Sequence, residues 1–243
     1  MIFNLLLDHT DFVAVEKPIG FNVHQEGGVE GFVTLLEAQL GYKLWLVHRI
    51  DKVTSGILLL AKSAEAAAQL GAEFAEHRIT KLYLALSDQK PKRKQGRIQG
   101  DMQPARGGSY KLTNTRINPA ITDFFSVSLS PGIRLFVCRP KTGKTHQIRV
   151  ALKSEGAAIL GDDRYGTSSS DRTYLHAWYL RFSCRGREFT IESKPNEGAL
   201  FLGSEFTELF KRLHEENLFP SHWDFVFKGA LASPKMAAKV CNE

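Results

Sequence analysis

The sequence predicts an α+β protein with a mixed, largely antiparallel β-sheet core flanked by helices. Residues 122–129 alternate apolar and polar side chains, and residues 133–138 follow a Ser130-Pro131-Gly132 turn, a combination typical of an antiparallel hairpin. Segments with helical spacing are separate from these strands and form no regular alternation with them. This mixture favours a largely antiparallel sheet over a doubly wound parallel one.

Strand patterns that end at turns, and two helices, fill the first third of the chain. In order, we predict an N-terminal strand, a strand at 12–15 that continues into Glu16-Lys17-Pro18 and breaks at Ile19-Gly20, a helix at 34–40, a strand at 56–61 and a helix at 63–77. Gly41 suits the C-terminal cap of the first helix, and Ser63 suits the N-terminal cap of the second. Because the 56–61 run has no helical period, a buried strand is favoured there.

The remaining elements lie on both sides of the hairpin. We predict a strand at 81–86, a loop or irregular hairpin at 90–116, a helix at 145–154 that Gly156 can end, strands near 175–182 and 188–192, and an amphipathic helix through Phe206, Leu209, Phe210 and Leu213. Residues from Lys228 onward lack a core pattern and are expected to be frayed. We therefore expect a main domain at 1–199 and a C-terminal helical extension with a mobile tail at 200–243.

The composition is that of a globular protein and favours a polyanionic partner. The 243 residues include 32 Lys and Arg against 26 Asp and Glu, and residues 90–116 contain eight basic side chains and one acid. No apolar run is long enough to span a bilayer, and no signal peptide is visible. Three distant cysteines fit neither a disulfide framework nor a metal clamp. We expect a cytoplasmic monomer. Taken alone, the basic composition of residues 90–116 fits a solvated loop as well as a polyanion-binding surface.

The most informative segment is His48-Arg-Ile-Asp-Lys-Val-Thr-Ser-Gly56, which places a carboxylate two residues after an arginine and just before a buried strand. Asp51 can serve there as a nucleophile or a base, positioned by Arg49 or by another cation. Taken alone, an aspartate at such a turn is more often structural, because it accepts backbone N–H bonds.

A second segment, Arg139-Pro-Lys-Thr-Gly-Lys-Thr-His-Gln-Ile-Arg149, has basic and hydroxyl side chains at a predicted helix start. It lacks the spacing of a nucleotide-binding phosphate loop, since one glycine alone precedes Lys144. Contact with the phosphates of an RNA backbone suits the same residues. The third segment, Gly161-Asp-Asp-Arg-Tyr-Gly166, has the composition of a turn.

Four strings of the chain resemble, in order, the motifs of the RluA-type RNA pseudouridine synthases in a short form without the N-terminal S4 domain. They are Lys17-Pro-Ile-Gly20 with Val23-His24, the segment 48–62, the segments 143–149 and 159–166, and Leu175-His-Ala177 with Leu180 and Phe182. The resemblance covers residues 11–195 and implies that residues 1–199 form a pseudouridine-synthase-like catalytic domain. Ile50, Lys144 and Ala151 depart from the usual leucine, arginine and histidine, which leaves the substrate subtype open.

The resemblance also implies the roles of individual residues. Asp51 corresponds to the family's essential aspartate, Tyr83 to the tyrosine that packs on the target base, and Arg149 to the basic partner of the aspartate. Ile148 corresponds to an aliphatic residue of the pocket, and Arg49 to the arginine that fills the space of the extruded nucleotide. Further RNA contacts are expected from Thr54, Lys144, His146, Lys92, Arg93 and Lys94. His48, His146 and His176 are assigned structural or RNA-contacting roles.

The implied reaction is the isomerisation of uridine to pseudouridine at specific positions in tRNA or rRNA. It requires the target base to leave the RNA stack and needs no metal or other cofactor. Two other classes stay open at this point. One is a non-catalytic RNA-binding protein that keeps the fold, and the other is a metal-free hydrolase that uses Asp51 on a small substrate.

Overall fold

The computed structural model describes residues 3–25, 27–215 and 223, in which β-strands form most of the architecture. The strands within these residues are β1 (Leu5–Asp8), β2 (Phe12–Lys17), β3 (Trp45–Leu46), β4 (Ser55–Ala61), β5 (Thr80–Ser87), β6 (Gln95–Gly100), β7 (Met102–Pro104), β8 (Tyr110–Leu112), β9 (Ala120–Ser130), β10 (Ile133–Pro140), β11 (Leu175–Cys184) and β12 (Arg187–Glu192). Every strand pattern predicted from the sequence coincides with one of them.

Ten strands form one sheet in the order β1-β2-β4-β11-β5-β10-β9-β6, with β3 paired to β4 and β12 paired to β11. The predicted hairpin is confirmed, because β9 and β10 pair antiparallel from Thr122 opposite Pro140 to Ser130 opposite Ile133. The strands β7 and β8 form a separate two-stranded sheet. The predicted class, a mixed and largely antiparallel sheet flanked by helices, is therefore confirmed.

A short parallel pairing between β4 and β11 joins the two halves of the sheet. Ser55 lies opposite His176 and Gly56 opposite Ala177, after which β11 pairs with β12 instead. Gly56 has a φ of 104°, and a Cβ there would lie 2.3 Å from the Ala177 carbonyl oxygen. Only glycine fits such an approach of two backbones. This contact positions the residues that precede β4, among them Asp51.

The helices cover the sheet and follow their sequence signals closely. They are α1 (Phe32–Leu40), α2 (Ala64–Ala75), α3 (Gln147–Ser154), α4 (Ala199–Leu202) and α5 (Ser204–Glu215). Gly41 ends α1 with a φ of 78°, and the Ser63 hydroxyl accepts the Ala66 N–H at 3.1 Å, so both predicted caps are confirmed. None of the helices in the described ranges is long and apolar enough to span a membrane.

The C-terminal helices α4 and α5 pack on the same core cluster as β9, β10 and β11 through Phe201, Phe206 and Leu213. Trp223 is buried in this cluster and packs edge-on against Phe125, with ring centroids 5.4 Å apart. The division of the chain at residue 199 stays a prediction. The predicted frayed tail from residue 228 lies outside the described residues.

The prediction of a loop or irregular hairpin for residues 90–116 was right in part. The β7–β8 hairpin lies in this stretch, but the prediction missed β6, which is at one edge of the main sheet. The hydrophobic signal of β6 is weak because Ile98 is its one buried apolar residue. Pairing with β9 and a bidentate ion pair from Arg97 to Asp123, at 2.7 and 3.2 Å, hold the strand instead. Neither interaction is visible in a local pattern.

Candidate active site

A cavity of about 500 Å³ opens where the loop before β4, the strand β5 and the start of α3 meet. Its wall contains residues 47–51 and Thr54, then Lys81 and Tyr83 of β5, residues 142–149, and Gly71, Phe74 and Ala75 of α2. The two segments that carried most of the chemical signal in the sequence are therefore brought together. Asp51 is the one acid among the described residues that line the cavity.

Asp51, Arg149 and Asp162 form a shared ion pair at one end of the cavity. Arg149 donates from Nη1 to Asp51 Oδ2 at 3.3 Å, and from Nε and Nη2 to the two oxygens of Asp162 at 2.7 and 2.8 Å. The side chain of Asp162 is 0% exposed and that of Asp51 is 19% exposed. Asp162 thus holds the Arg149 guanidinium in place, and Asp51 accepts a hydrogen bond from one N–H group of that guanidinium at the cavity surface.

The loop around Asp51 is held by its backbone. The Thr54 N–H donates to the Asp51 carbonyl at 3.0 Å, and the Gly20 N–H donates to the Lys52 carbonyl at 2.9 Å. The buried Lys17 ammonium donates to the carbonyls of Pro18 and Phe21, at 2.8 and 3.0 Å. The Asp51 side chain is therefore not used as a turn-forming acceptor, and Oδ1 accepts no hydrogen bond from any described residue.

Tyr83 lies on β5 between Cys138 of β10 and Ala177 of β11, so its ring is fixed by the middle of the sheet. Burial raises the pKa of its hydroxyl, and the negative charge of Asp51 raises it further. The side chain is consequently a neutral phenol at physiological pH. It offers the cavity a flat aromatic face with one hydroxyl.

His146 begins α3 with a left-handed backbone conformation, at a φ of 57° and a ψ of 18°. Its Nδ1 lies 2.9 Å from the Tyr165 hydroxyl oxygen, which also accepts the Tyr110 N–H at 2.9 Å. The Tyr165 ring lies below the guanidinium of Arg149, with 5.0 Å between Cζ and the ring centroid. Burial lowers the pKa of His146, which makes it a neutral polar group of the wall at physiological pH.

Two other histidines of the motifs, His48 and His176, are fixed by hydrogen bonds. His48 stacks on Phe74 with centroids 4.4 Å apart, and its Nε2 accepts the Leu59 N–H at 2.9 Å. His176 contacts the Ser55 hydroxyl through Nδ1 at 2.8 Å and the Ser193 carbonyl through Nε2 at 2.7 Å. Burial lowers the pKa of each ring to about 3, so both are neutral.

The structure gathers most of the predicted site residues and leaves one group apart. The residues that line the cavity are Arg49, Asp51, Thr54, Tyr83, Lys144, His146, Ile148 and Arg149. Lys92, Arg93 and Lys94 do not line it. Lys92 donates to the Ser154 carbonyl at 2.9 Å, and Arg93 forms a bidentate pair with Glu155 at 3.0 and 2.8 Å, so these two side chains bind the end of α3.

Three residues of the site, Asp162, Lys17 and Lys81, had no predicted role. Asp162 lies in the third motif string, so the sequence offered a signal for it. Its partner Arg149 is 13 residues away on α3, and a local pattern does not show that pairing. Lys81 precedes Tyr83 by two positions on a strand, and this spacing puts both side chains on one face. Among the described residues no group of three or more His, Cys, Asp or Glu side chains could hold a metal ion.

The chain is similar to a known protein family and to several individual proteins. Residues 11–154 match the family model described as RNA pseudouridylate synthase. The chain is 50% identical over 205 residues to an "Uncharacterized RNA pseudouridine synthase" of Haemophilus influenzae, covering 83% of this chain and 92% of that protein. It is 32% identical over 206 residues to "Ribosomal large subunit pseudouridine synthase C" of Rickettsia bellii, covering 78% and 67%.

A solved structure shows the same fold. The structure titled "Human RNA Pseudouridylate Synthase Domain Containing 1" superposes with a TM-score of 0.69 at 22% identity, over 88% of this chain and 95% of that one.

Proposed function

The chain belongs to the RNA pseudouridylate synthase family, and from this premise we propose that its substrate is large-subunit ribosomal RNA and that Asp51 is its catalytic carboxylate. Isomerisation of uridine on RNA is the reaction that the family and the fold support. The names of relatives at 30–33% identity support the ribosomal substrate, since these relatives are ribosomal large subunit pseudouridine synthases C and D.

One observation carries the proposal for Asp51. Its carboxylate, the Tyr83 ring and the Arg149 guanidinium all line one cavity, and a single N–H group of Arg149 contacts Asp51 at 3.3 Å. The second carboxylate oxygen has no donor among the described residues. A carboxylate that is oriented on one side and open on the other suits attack on a bound sugar or removal of a proton from it.

The reaction conserves atoms and electrons without a co-reactant. The bond from N1 to C1′ breaks, the uracil turns, C5 bonds to C1′, and the C5 proton leaves while N1 gains a proton. Asp51 starts this sequence either by attacking C1′ or by removing a proton from the ribose, and its position suits both. Because the detached base must stay in place until it recombines, the Tyr83 face and Ile148 are proposed to hold it.

The target uridine must leave the RNA stack to reach Asp51, at a cost of a few kcal/mol. Arg49 lines the cavity next to Asp51 and is proposed to occupy the vacated position in the RNA. Lys144 donates to the Asn118 side chain at 2.9 Å at the rim, and this exposed pair can exchange for a phosphate contact.

The test compares pseudouridine maps of large-subunit rRNA from cells without the gene and from cells with the gene restored. We expect at least one pseudouridine to disappear on deletion, to return with the wild-type gene and to stay absent with Asp51→Asn. If the pseudouridine returned with Asp51→Asn, Asp51 would not be the catalytic carboxylate. A change confined to tRNA would overturn the proposal of a ribosomal substrate.

A further inference from the structure

The cavity extends from Asp51 to the second half of α2. This part of it, the α2 wall, is lined by His48, Gly71, Phe74, Ala75 and Lys81. The proposed roles of Asp51, Tyr83 and Arg149 leave it unused.

Gly71 is the first unusual feature of the α2 wall. It is the eighth residue of the twelve-residue helix α2, where glycine is the least favourable residue after proline. A Cβ at this position would have no heavy atom within 4 Å outside its chain neighbours and the helix backbone, and the backbone has no positive φ. Packing and backbone conformation therefore give no reason for glycine here. Because glycine has no side chain, the helix backbone at position 71 is uncovered and faces open space, as expected where a ligand passes closely.

Lys81 is the second feature. It lies two residues before Tyr83 on the same face of β5, about 7 Å along the strand. Its ammonium donates to the Thr142 carbonyl at 3.3 Å and has no carboxylate within ion-pair distance in the described part of the chain. Burial lowers its pKa to about 8, so at pH 7 most of the population carries the charge. A half-buried cation without an acidic partner, facing a cavity, is suited to bind an anion.

His48 adds a neutral donor to the same wall. Because its Nε2 accepts the Leu59 N–H, the ring proton is on Nδ1, which has no hydrogen-bond partner among the described residues. The α2 wall thus combines hydrogen-bond donors with a bare backbone and contains no acid.

We propose that the α2 wall is a subsite for the phosphodiester that flanks the flipped uridine. The sugar–phosphate backbone passes over Gly71, and the phosphate pairs with Lys81 while the base lies on Tyr83. This inference rests on the proposed function for the orientation of the base, and it adds a contact that fixes the path of the RNA strand. Glycine at position 71 makes the helix less stable than alanine would, and the room that it leaves for the RNA strand explains its presence.

The test measures RNA affinity and thermal stability for the same variants. The probe is a fluorescent single-stranded oligouridylate of about 12 nucleotides, within the range of known single-strand sites. The variants are Gly71→Ala, Gly71→Gln, Lys81→Met and Lys81→Arg. The matched control is Gln69→Ala, an exposed position of α2 that does not line the cavity.

Gly71→Ala should raise Tm by about 2–4 °C, because alanine favours the helix, and should nevertheless weaken RNA binding. Gly71→Gln should weaken binding further, since a longer side chain fills the path of the strand. Lys81→Met should lower affinity about 10-fold and reduce the salt slope by about 0.7, the value for one single-strand phosphate. Lys81→Arg should keep the slope, and Gln69→Ala should keep the affinity.

Unchanged affinity in both Gly71 variants and in Lys81→Met, or no binding of the probe by the wild type, would overturn the subsite. If the wild type makes pseudouridine while these variants bind normally, the subsite fails and the proposed function stands. If the variants lose affinity as expected but the wild type makes no pseudouridine in any rRNA, the proposed function fails and the subsite stands.

Discussion

The substitution Asp162→Asn tests whether Asp162 stabilises the site by holding Arg149, while Asp51 carries out the reaction. Asp162 accepts two N–H groups of Arg149, at 2.7 and 2.8 Å, and its Oδ1 also accepts the backbone N–H groups of Arg164 and Tyr165 at 3.1 and 3.2 Å. The amide keeps the Oδ1 acceptor and loses the charge. Arg149, whose side chain is 5% exposed, would then have Asp51 as its one carboxylate partner among the described residues.

The expected cost follows from burial. Removing one partner of a buried ion pair costs about 3–5 kcal/mol, and the lower value applies here because Asp51 and the retained oxygen still engage their donors. For a chain of this size, about 3 kcal/mol lowers Tm by about 6–12 °C. Asp51→Asn should shift stability by less than about 1 kcal/mol, because Asp51 is partly exposed and Arg149 keeps both bonds to Asp162.

The assay is thermal and urea unfolding of the wild type, Asp162→Asn and Asp51→Asn, with RNA modification measured where all three are folded. Asp163→Asn is the matched control, since Asp163 is the exposed neighbour of Asp162 and should leave Tm unchanged. We expect a large loss of stability with part of the activity for Asp162→Asn, and full stability without activity for Asp51→Asn. Equal destabilisation by both changes, or a wild-type Tm for Asp162→Asn, would refute this division of roles.

Tyr83→Phe keeps the aromatic face and should keep RNA affinity within about threefold, whereas Tyr83→Ala removes the face and should weaken binding. His48 and His176 have folded pKa values of about 3 against 6.5 unfolded, so stability is highest above pH 6.5 and falls toward pH 3. At pH 5 the loss is about 2 kcal/mol for each histidine, and urea unfolding of His176→Gln should show a smaller pH slope than the wild type. Gly56→Ala should cost more than about 4 kcal/mol in urea unfolding because of its clash with the Ala177 carbonyl, whereas Gly186→Ala, with a φ of 75° and open space, should cost about 1–2 kcal/mol.

Local patterns account for much of the sheet and for the helix boundaries. The apolar runs of β2, β4, β5 and the β9–β10 hairpin could be recognised because their buried faces follow the period of a strand. The caps at Gly41 and Ser63 could be recognised because the relevant interactions span three or four residues. Such features require no knowledge of distant contacts.

Long-range features of the fold were beyond the sequence patterns. The edge strand β6 depends on pairing with β9, about 25 residues later, and on the Arg97–Asp123 ion pair. The motif resemblance implied that Arg149 pairs with Asp51. The tertiary structure shows that Arg149 lies closer to Asp162, at 2.7 Å, than to Asp51, at 3.3 Å. Likewise, the basic composition of residues 92–94 was visible, whereas the engagement of Lys92 and Arg93 with the end of α3 was not.

The most direct test of the role of Asp51 is the release of tritium from RNA that contains uridine labelled at C5, because forming the bond between C5 and C1′ expels that hydrogen. Wild-type protein and Asp51→Asn are compared on the same unmodified large-subunit rRNA, at concentrations at which both bind it. We predict tritium release by the wild type and none above background by Asp51→Asn, with affinities for the RNA within about threefold of each other. Release by Asp51→Asn at the wild-type rate would contradict the assignment of the catalytic carboxylate.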